Sequence, residues 1–146
     1  MSKLPFKVLG LSHIGLAPES GPELSSFFSD ILQLQPVLHE TVAGQKTRTT
    51  VFCSNHGKAD TRALARLEVV EPIAEDSPIA RFLQKRGSGI HHLALRVDDV
   101  QKVASYLKEK NIPTTTEAPV LGIHGSLVLF VHPKATSGIL IEFVQE

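Results

Sequence analysis

Two stretches of this 146-residue chain use the same device, and nothing else in it constrains the fold as tightly. The first is Leu9-Gly-Leu-Ser-His-Ile-Gly-Leu-Ala17. The second is Gly87-Ser-Gly-Ile-His-His-Leu-Ala-Leu-Arg-Val-Asp-Asp99. Each reads as a β-strand in which a histidine is followed, two places on, by a residue with little or no side chain. Successive side chains of a strand point to opposite faces. His13, Gly15 and Ala17 therefore share one face of the first strand, and His92, Ala94 and Arg96 share one face of the second. The other faces, with Ile14 and Leu16, and with Leu93, Leu95 and Val97, are greasy and suited to packing under a helix. His91 falls on that second greasy face and reads as structural. The small residues leave open space beside His13 and His92.

The segments after the two strands match as well. Ser20-Gly-Pro22-Glu23 opens a helix with proline in its first turn and Ser20 or Gly21 as the cap. Leu24, Phe27, Phe28 and Ile31 then recur at helical spacing, predicting a helix over 22–32. Asp98 or Asp99 caps a second helix in which Val100, Val103, Ala104 and Leu107 repeat that spacing to about Asn111. Further strands are predicted over 36–41, 47–53 and 65–71 in the first half, and near 114–116, 127–132 and 138–144 in the second. The polar stretch 55–61 reads as a loop. Asp76-Ser77-Pro78 starts a short connecting helix over 77–86. The pattern is α+β: two tandem βαβββ units, 7–71 and 88–146, in a single domain spanning 1–146.

Composition narrows the function classes. Fifteen basic and fifteen acidic residues cancel, so no charged footprint points to nucleic acid or an anionic membrane. The single cysteine, Cys53, cannot form a disulfide within the chain. No stretch is long and apolar enough to span a bilayer, and residues 1–5 read as a loose leader. A soluble cytoplasmic protein is the expectation.

The last strand of each unit carries a carboxylate amid apolar neighbours, Glu68 in Arg-Leu-Glu-Val-Val and Glu142 in Leu-Ile-Glu-Phe-Val. Burying such a group is costly unless something pairs with it. A solvent-facing position is the plain alternative for either one alone. Two related units that each supply one histidine and one glutamate can converge on a single divalent ion. Two imidazoles and two carboxylates suit Co²⁺, Ni²⁺, Zn²⁺, Mn²⁺ or Fe²⁺ in a partly open site.

The segments Asp76-Ser-Pro-Ile-Ala-Arg-Phe-Leu83, Gly89-Ile-His-His92 with Val97-Asp-Asp99, and His132-Pro-Lys134 followed by Gly138-Ile-Leu-Ile-Glu142 resemble the vicinal oxygen chelate superfamily. Within it the chain is most similar to the methylmalonyl-CoA epimerase family. The resemblance implies a half-open barrel of glyoxalase type with His13, Glu68, His92 and Glu142 as metal ligands, Co²⁺ foremost. It implies epimerisation of methylmalonyl-CoA or a related 2-substituted acyl-CoA by proton transfer next to a chelated thioester carbonyl. Glu142, with Glu68 or Glu40 opposite, is the expected acid–base pair. Lys134 is placed to meet a coenzyme A phosphate, and His124, in the loop Gly122-Ile-His-Gly125, to close over a ligand. A homodimer is expected, because exposed sheet edges need covering and relatives pair. One departure bears on the substrate: Gly44 falls where relatives carry a glutamate before the third strand. A lyase acting on a glutathione hemithioacetal, or a non-catalytic ligand-binding protein, are the alternatives of the same fold.

Overall fold

The structure, a computed structural model, describes residues 3–53 and 65–146. The loop expected at 55–61 lies outside these residues. Among the described residues eight strands are found, β1 Val8–Ala17, β2 Gln35–Val42, β3 Thr47–Cys53, β4 Arg66–Pro72, β5 Gly89–Val97, β6 Val120–Leu121, β7 Leu127–Val131 and β8 Ile141–Gln145. Three α-helices accompany them there, α1 Gly21–Ser26, α2 Pro78–Arg86 and α3 Val100–Glu109. The chain forms two compact units, residues 13–91 and residues 1–12 with 92–146. The division passes through β1, between Ser12 and His13, and through β5, between His91 and His92.

In residues 13–91 the strands lie in the order β2-β3-β4-β1. β1 and β4 are parallel, and β3 is antiparallel to both β4 and β2. One face is closed by α1, whose Leu24 packs with Phe28 on Phe52, Val69, Leu16 and Leu67. α1 starts because Ser20 Oγ accepts the Glu23 amide at 3.3 Å and Pro22 sits in its first turn. Gly21 lies close against the Glu71 carboxylate: a Cβ on it would lie 2.1 Å from Glu71 Oε2, so that side chain would have to swing aside. The helix expected to reach Leu32 changes character at Phe27, and residues 27–31 form a π-turn. Ser29 Oγ donates to the Ser25 carbonyl at 3.0 Å. Such hydroxyl back-bonding competes with the backbone ladder and bends helices. On the other face, α2 sets Ile79, Phe82 and Leu83 against Ala17 and Val70. Ser77 Oγ caps α2 by accepting the Ala80 amide at 3.0 Å, Pro78 follows it, and Gly87 at φ 68° ends it.

In residues 1–12 with 92–146 the order is β1-β5-β8-β7-β6. β5 and β8 are parallel, and β7 runs antiparallel to β8. α3 covers one face: Val100 and Val103, with no exposed surface, pack on Phe6, Val97 and Leu129. Burial of one such side chain stabilises by about 1.5–3 kcal/mol. Asp99 Oδ1 accepts the Lys102 amide at 3.0 Å and so caps the helix, and the Val100 amide donates to Gln145 Oε1 at 2.9 Å. The strand expected at 114–116 is reduced to a single bridge from Thr114 to Val131. Thr114 and Thr116 hydroxyls donate to the carbonyls of Thr116 and Ala118, which turns the chain instead of extending it. The outer strand of this unit is the two-residue β6.

Candidate metal centre

Each unit builds the same arrangement by the same register. In residues 13–91 the parallel pairing of β1 with β4 sets Gly15 beside Glu68. In the other unit the parallel pairing of β5 with β8 sets Ala94 beside Glu142. The small residue two places after each histidine is thus the immediate neighbour of that unit's glutamate, on the same face. With a glycine or an alanine there, the carboxylate is free to lean along the sheet towards the histidine. It does so twice: His13 Nε2 lies 3.3 Å from Glu68 Oε2, and His92 Nε2 lies 3.1 Å from Glu142 Oε2. All four residues are buried, between 3 % and 6 % exposed. The solvent-facing alternative for the glutamates is therefore excluded.

Two donor atoms bound about 2.1 Å from one ion lie about 3.0 Å apart at a right angle and about 3.4 Å at the tetrahedral angle. The two observed separations fall between these limits, so each pair is spaced as two ligands of one ion would be. Imidazole nitrogen and carboxylate oxygen are ligands that Zn²⁺ and its divalent neighbours accept. Within each unit, the buried imidazole and carboxylate, His13 with Glu68 and His92 with Glu142, therefore form a donor pair of the kind such ions accept.

Apolar side chains dominate the surroundings of the second pair. Ala94 has no exposed surface and packs with Val128 and Val144 beside Phe130. Arg96, further along the His92 face, pairs through Nε with Glu146 Oε2 at 3.2 Å. In the first unit Cys53, at the end of β3, is buried, and burial, the largest influence, raises its thiol pKa. The thiol is therefore a poor nucleophile.

The remaining expected residues take other places. Glu40 is half-buried on β2 as the partner of Thr49, which in turn pairs with Val70. It thus shares the face that carries Glu68. Lys134 is exposed in a 3₁₀ turn after β7, where its amide donates to His132 Nδ1 at 3.2 Å. His124 lies in the turn 123–125 with φ 56°. Gly44 is exposed in the turn Ala43–Gln45, with no atom within 4 Å of a Cβ placed on it. His91 is half-buried and meets the ring of Phe82 edge-on at 5.0 Å, in keeping with a structural role. Val51 and Phe130, the far-side neighbours of Glu68 and Glu142, escape a reading of the strands taken one at a time. Their signal is the pairing of each unit's last two strands, which a comparison of the units about their histidines brings out.

Residues 12–130 match the glyoxalase/bleomycin resistance protein/dioxygenase superfamily. The chain belongs to this superfamily. It is 33% identical over 141 residues to the mitochondrial methylmalonyl-CoA epimerase of Mus musculus, covering 96% of this chain and 75% of that one. It is 31% identical over 135 residues to an uncharacterized protein, YqjC, of Bacillus subtilis, covering 92% and 91%. Among solved structures, a variant of the Streptomyces coelicolor methylmalonyl-CoA epimerase in complex with 2-nitronate-propionyl-CoA matches with a TM-score of 0.87 and 28% identity, covering 96% of each chain. The α+β fold, with eight strands and three α-helices among the described residues, is accordingly of glyoxalase type, and the resemblance carried by the three motifs is borne out. Among the described residues, no helix is long and apolar enough to cross a membrane.

Proposed function

We propose that this chain is a metal-dependent epimerase of methylmalonyl-CoA or a related 2-substituted acyl-CoA, with His13, Glu68, His92 and Glu142 as ligands of one divalent ion. The observation that carries the reading is the matched pair of buried histidine–glutamate contacts, set by the same strand register in each unit. The likeness to epimerases, one of them in complex with an acyl-CoA analogue, supplies the substrate class. Co²⁺ heads the candidate ions, followed by Ni²⁺, Zn²⁺, Mn²⁺ and Fe²⁺.

When bound, such an ion would supply Lewis-acid polarisation of the thioester carbonyl, a contribution of several kcal/mol. The rest falls to the protein. A carboxylate takes the α-proton from one side and another group returns one to the opposite side, each worth about 10²–10⁴-fold. Glu142 is assigned the first role, and Glu68 or Glu40 the second. Glu40 shares the face of Glu68 on a more open strand. Lys134 is assigned to a coenzyme A phosphate and His124 to the loop over the ligand. The working form is a cytoplasmic homodimer in which both units act as one domain.

The test is incorporation of solvent deuterium into methylmalonyl-CoA by the wild type and by Glu142→Gln. Glutamine leaves a neutral oxygen ligand and removes the proton acceptor. Exchange in the wild type with a loss of about 10²–10⁴ in the variant supports the assignment. Equal exchange in both moves the base to Glu68 or Glu40. No exchange in the wild type, with any of these metals, overturns the epimerase reading, and consumption of a glutathione hemithioacetal would then establish the lyase.

A further inference from the structure

The two glutamates occupy matching places, but what flanks them differs. Glu68 has Gly15 on one side, which carries no side chain, and on the other Val51, which is 2 % exposed. Neither offers a ligand an apolar surface. Glu142 has Ala94 on one side, with no exposed surface, and Phe130 on the other. Phe130 packs on the buried side chains of Ala94, Val128 and Val144 but is itself only half-buried. Its ring lies 5.9 Å from that of His92, centroid to centroid. Of the four residues that flank the two carboxylates in the strand pairing, Phe130 alone keeps apolar surface open. The backbone that carries it is fixed on both sides, by the pairing with β8 and by the Thr115 amide, which donates to the Phe130 carbonyl at 2.9 Å.

Proton transfer requires the reacting α-carbon to come within hydrogen-bond reach of the Glu142 carboxylate, about 3 Å. Directly opposed residues of an antiparallel pair have Cβ atoms about 4.5–5.5 Å apart. A group one or two bonds from that carbon is therefore within reach of the Phe130 ring. The thioester and 2-carboxylate oxygens of a 2-substituted malonyl ester are donors to a hard ion. A 2-alkyl group gains only from apolar contact. In the planar enolate it keeps one position whichever face the proton leaves, so a single wall serves both epimers.

Resting on the epimerase reading above, we propose that Phe130 is the specificity-determining residue for the substituent on the reacting carbon, an apolar wall beside Glu142 that receives a 2-alkyl group and limits its length.

The experiment compares methylmalonyl-CoA, ethylmalonyl-CoA and propylmalonyl-CoA on the full chain with Co²⁺, for the wild type, Phe130→Val, Phe130→Leu and Val128→Ala. Two quantities are read for each ester: kcat/KM for solvent-deuterium incorporation, and Kd by calorimetry. Both should worsen along the series in the wild type. Room for one more methylene is worth about 10-fold or more. Phe130→Val should accordingly raise the ethyl-to-methyl ratio of kcat/KM by about 10-fold, with Phe130→Leu between it and the wild type. Val128→Ala loosens the same cluster from a buried position, so it should lower the melting temperature and leave the ratio unchanged. A flat series in the wild type overturns the proposal. So does a ratio that neither Phe130 variant moves, or one that Val128→Ala moves equally. Should Phe130→Val fail to fold, Phe130→Leu decides alone. If the wild type binds the esters but exchanges none, the epimerase reading falls and the Kd series decides the wall by the same comparison. Binding of none of the three esters overturns both.

Discussion

Ala94 shows how closely the chemistry of the site depends on a residue with none of its own. It has no exposed surface, lies beside Glu142 in the strand pairing, and packs on Val128 and Val144. A larger side chain there meets filled space on one side and the glutamate on the other. Overpacking a well-filled core costs about 1–3 kcal/mol. Ala94→Leu should therefore lower stability by that amount and also push the Glu142 carboxylate off the His92 nitrogen. Both effects are measurable on one sample, by urea unfolding of the metal-free protein and by Co²⁺ titration. A variant that loses stability but binds Co²⁺ like the wild type would show that Glu142 is not held by this neighbour. The small residue is visible in the sequence two places after each histidine. Its purpose is not, because which residue of β8 lies opposite is a property of the pairing. Ala94 itself is covered by Val128 and Val144, which come from strands distant from it in the chain.

The elements are legible wherever a local rule acts alone. Ser77 with Pro78, and Asp99 before an apolar repeat, announce helix starts because the capping oxygen, its acceptor geometry and the first apolar turn all lie within a few residues. Ser77→Ala should cost about 1 kcal/mol, the ordinary worth of such a cap, read as a fall in the urea midpoint. A loss well below this would mean that the Ile79 and Phe82 contacts hold α2 without its cap. Asp99 adds a pH signature. The Lys102 amide hydrogen bond, followed by the Lys102 ammonium, lowers its carboxyl pKa below the ordinary aspartate value. Folding therefore favours the charged form. The contribution is complete above the ordinary aspartate range and is lost as the pH falls through the lowered folded value. Wild type and Asp99→Ala should accordingly differ in melting temperature at neutral pH and converge in acid. A difference that persists unchanged below that range would deny the carboxylate its role. Where the local rule has a competitor, the sequence misleads. The β-branched run at 114–116 has the composition of a strand, yet its hydroxyls bond to nearby carbonyls and Thr114 makes a lone bridge to β7 among the described residues. Phe27 and Ile31 keep helical spacing, yet Ser29 takes the Ser25 carbonyl and the turn widens.

At the scale of the whole molecule, the proposal of one shared ion has a thermodynamic consequence that two separate sites would not. A ligand that binds only the folded state stabilises it by RT ln(1 + [L]/Kd), about 2.7 kcal/mol at a hundredfold excess over Kd. For a chain of this length each kcal/mol raises the melting temperature by about 2–4 °C. Saturating Co²⁺ should thus raise it by about 5–11 °C. If a single ion is held by His13 and Glu68 from one unit and by His92 and Glu142 from the other, removal of either histidine breaks the same site. His13→Ala and His92→Ala should each abolish most of the shift, and the wild type should take up one Co²⁺ per chain. Independent sites, one per histidine–glutamate pair, would instead take up two ions and leave about half of the shift in each variant. Each histidine also contacts a buried carboxylate, so each variant starts less stable, and the comparison must be made on the shift and not on the melting temperature itself. Two ions per chain would refute the shared centre while leaving both buried pairs intact, and with it the acid–base assignment of Glu68 and Glu142 across one thioester carbonyl.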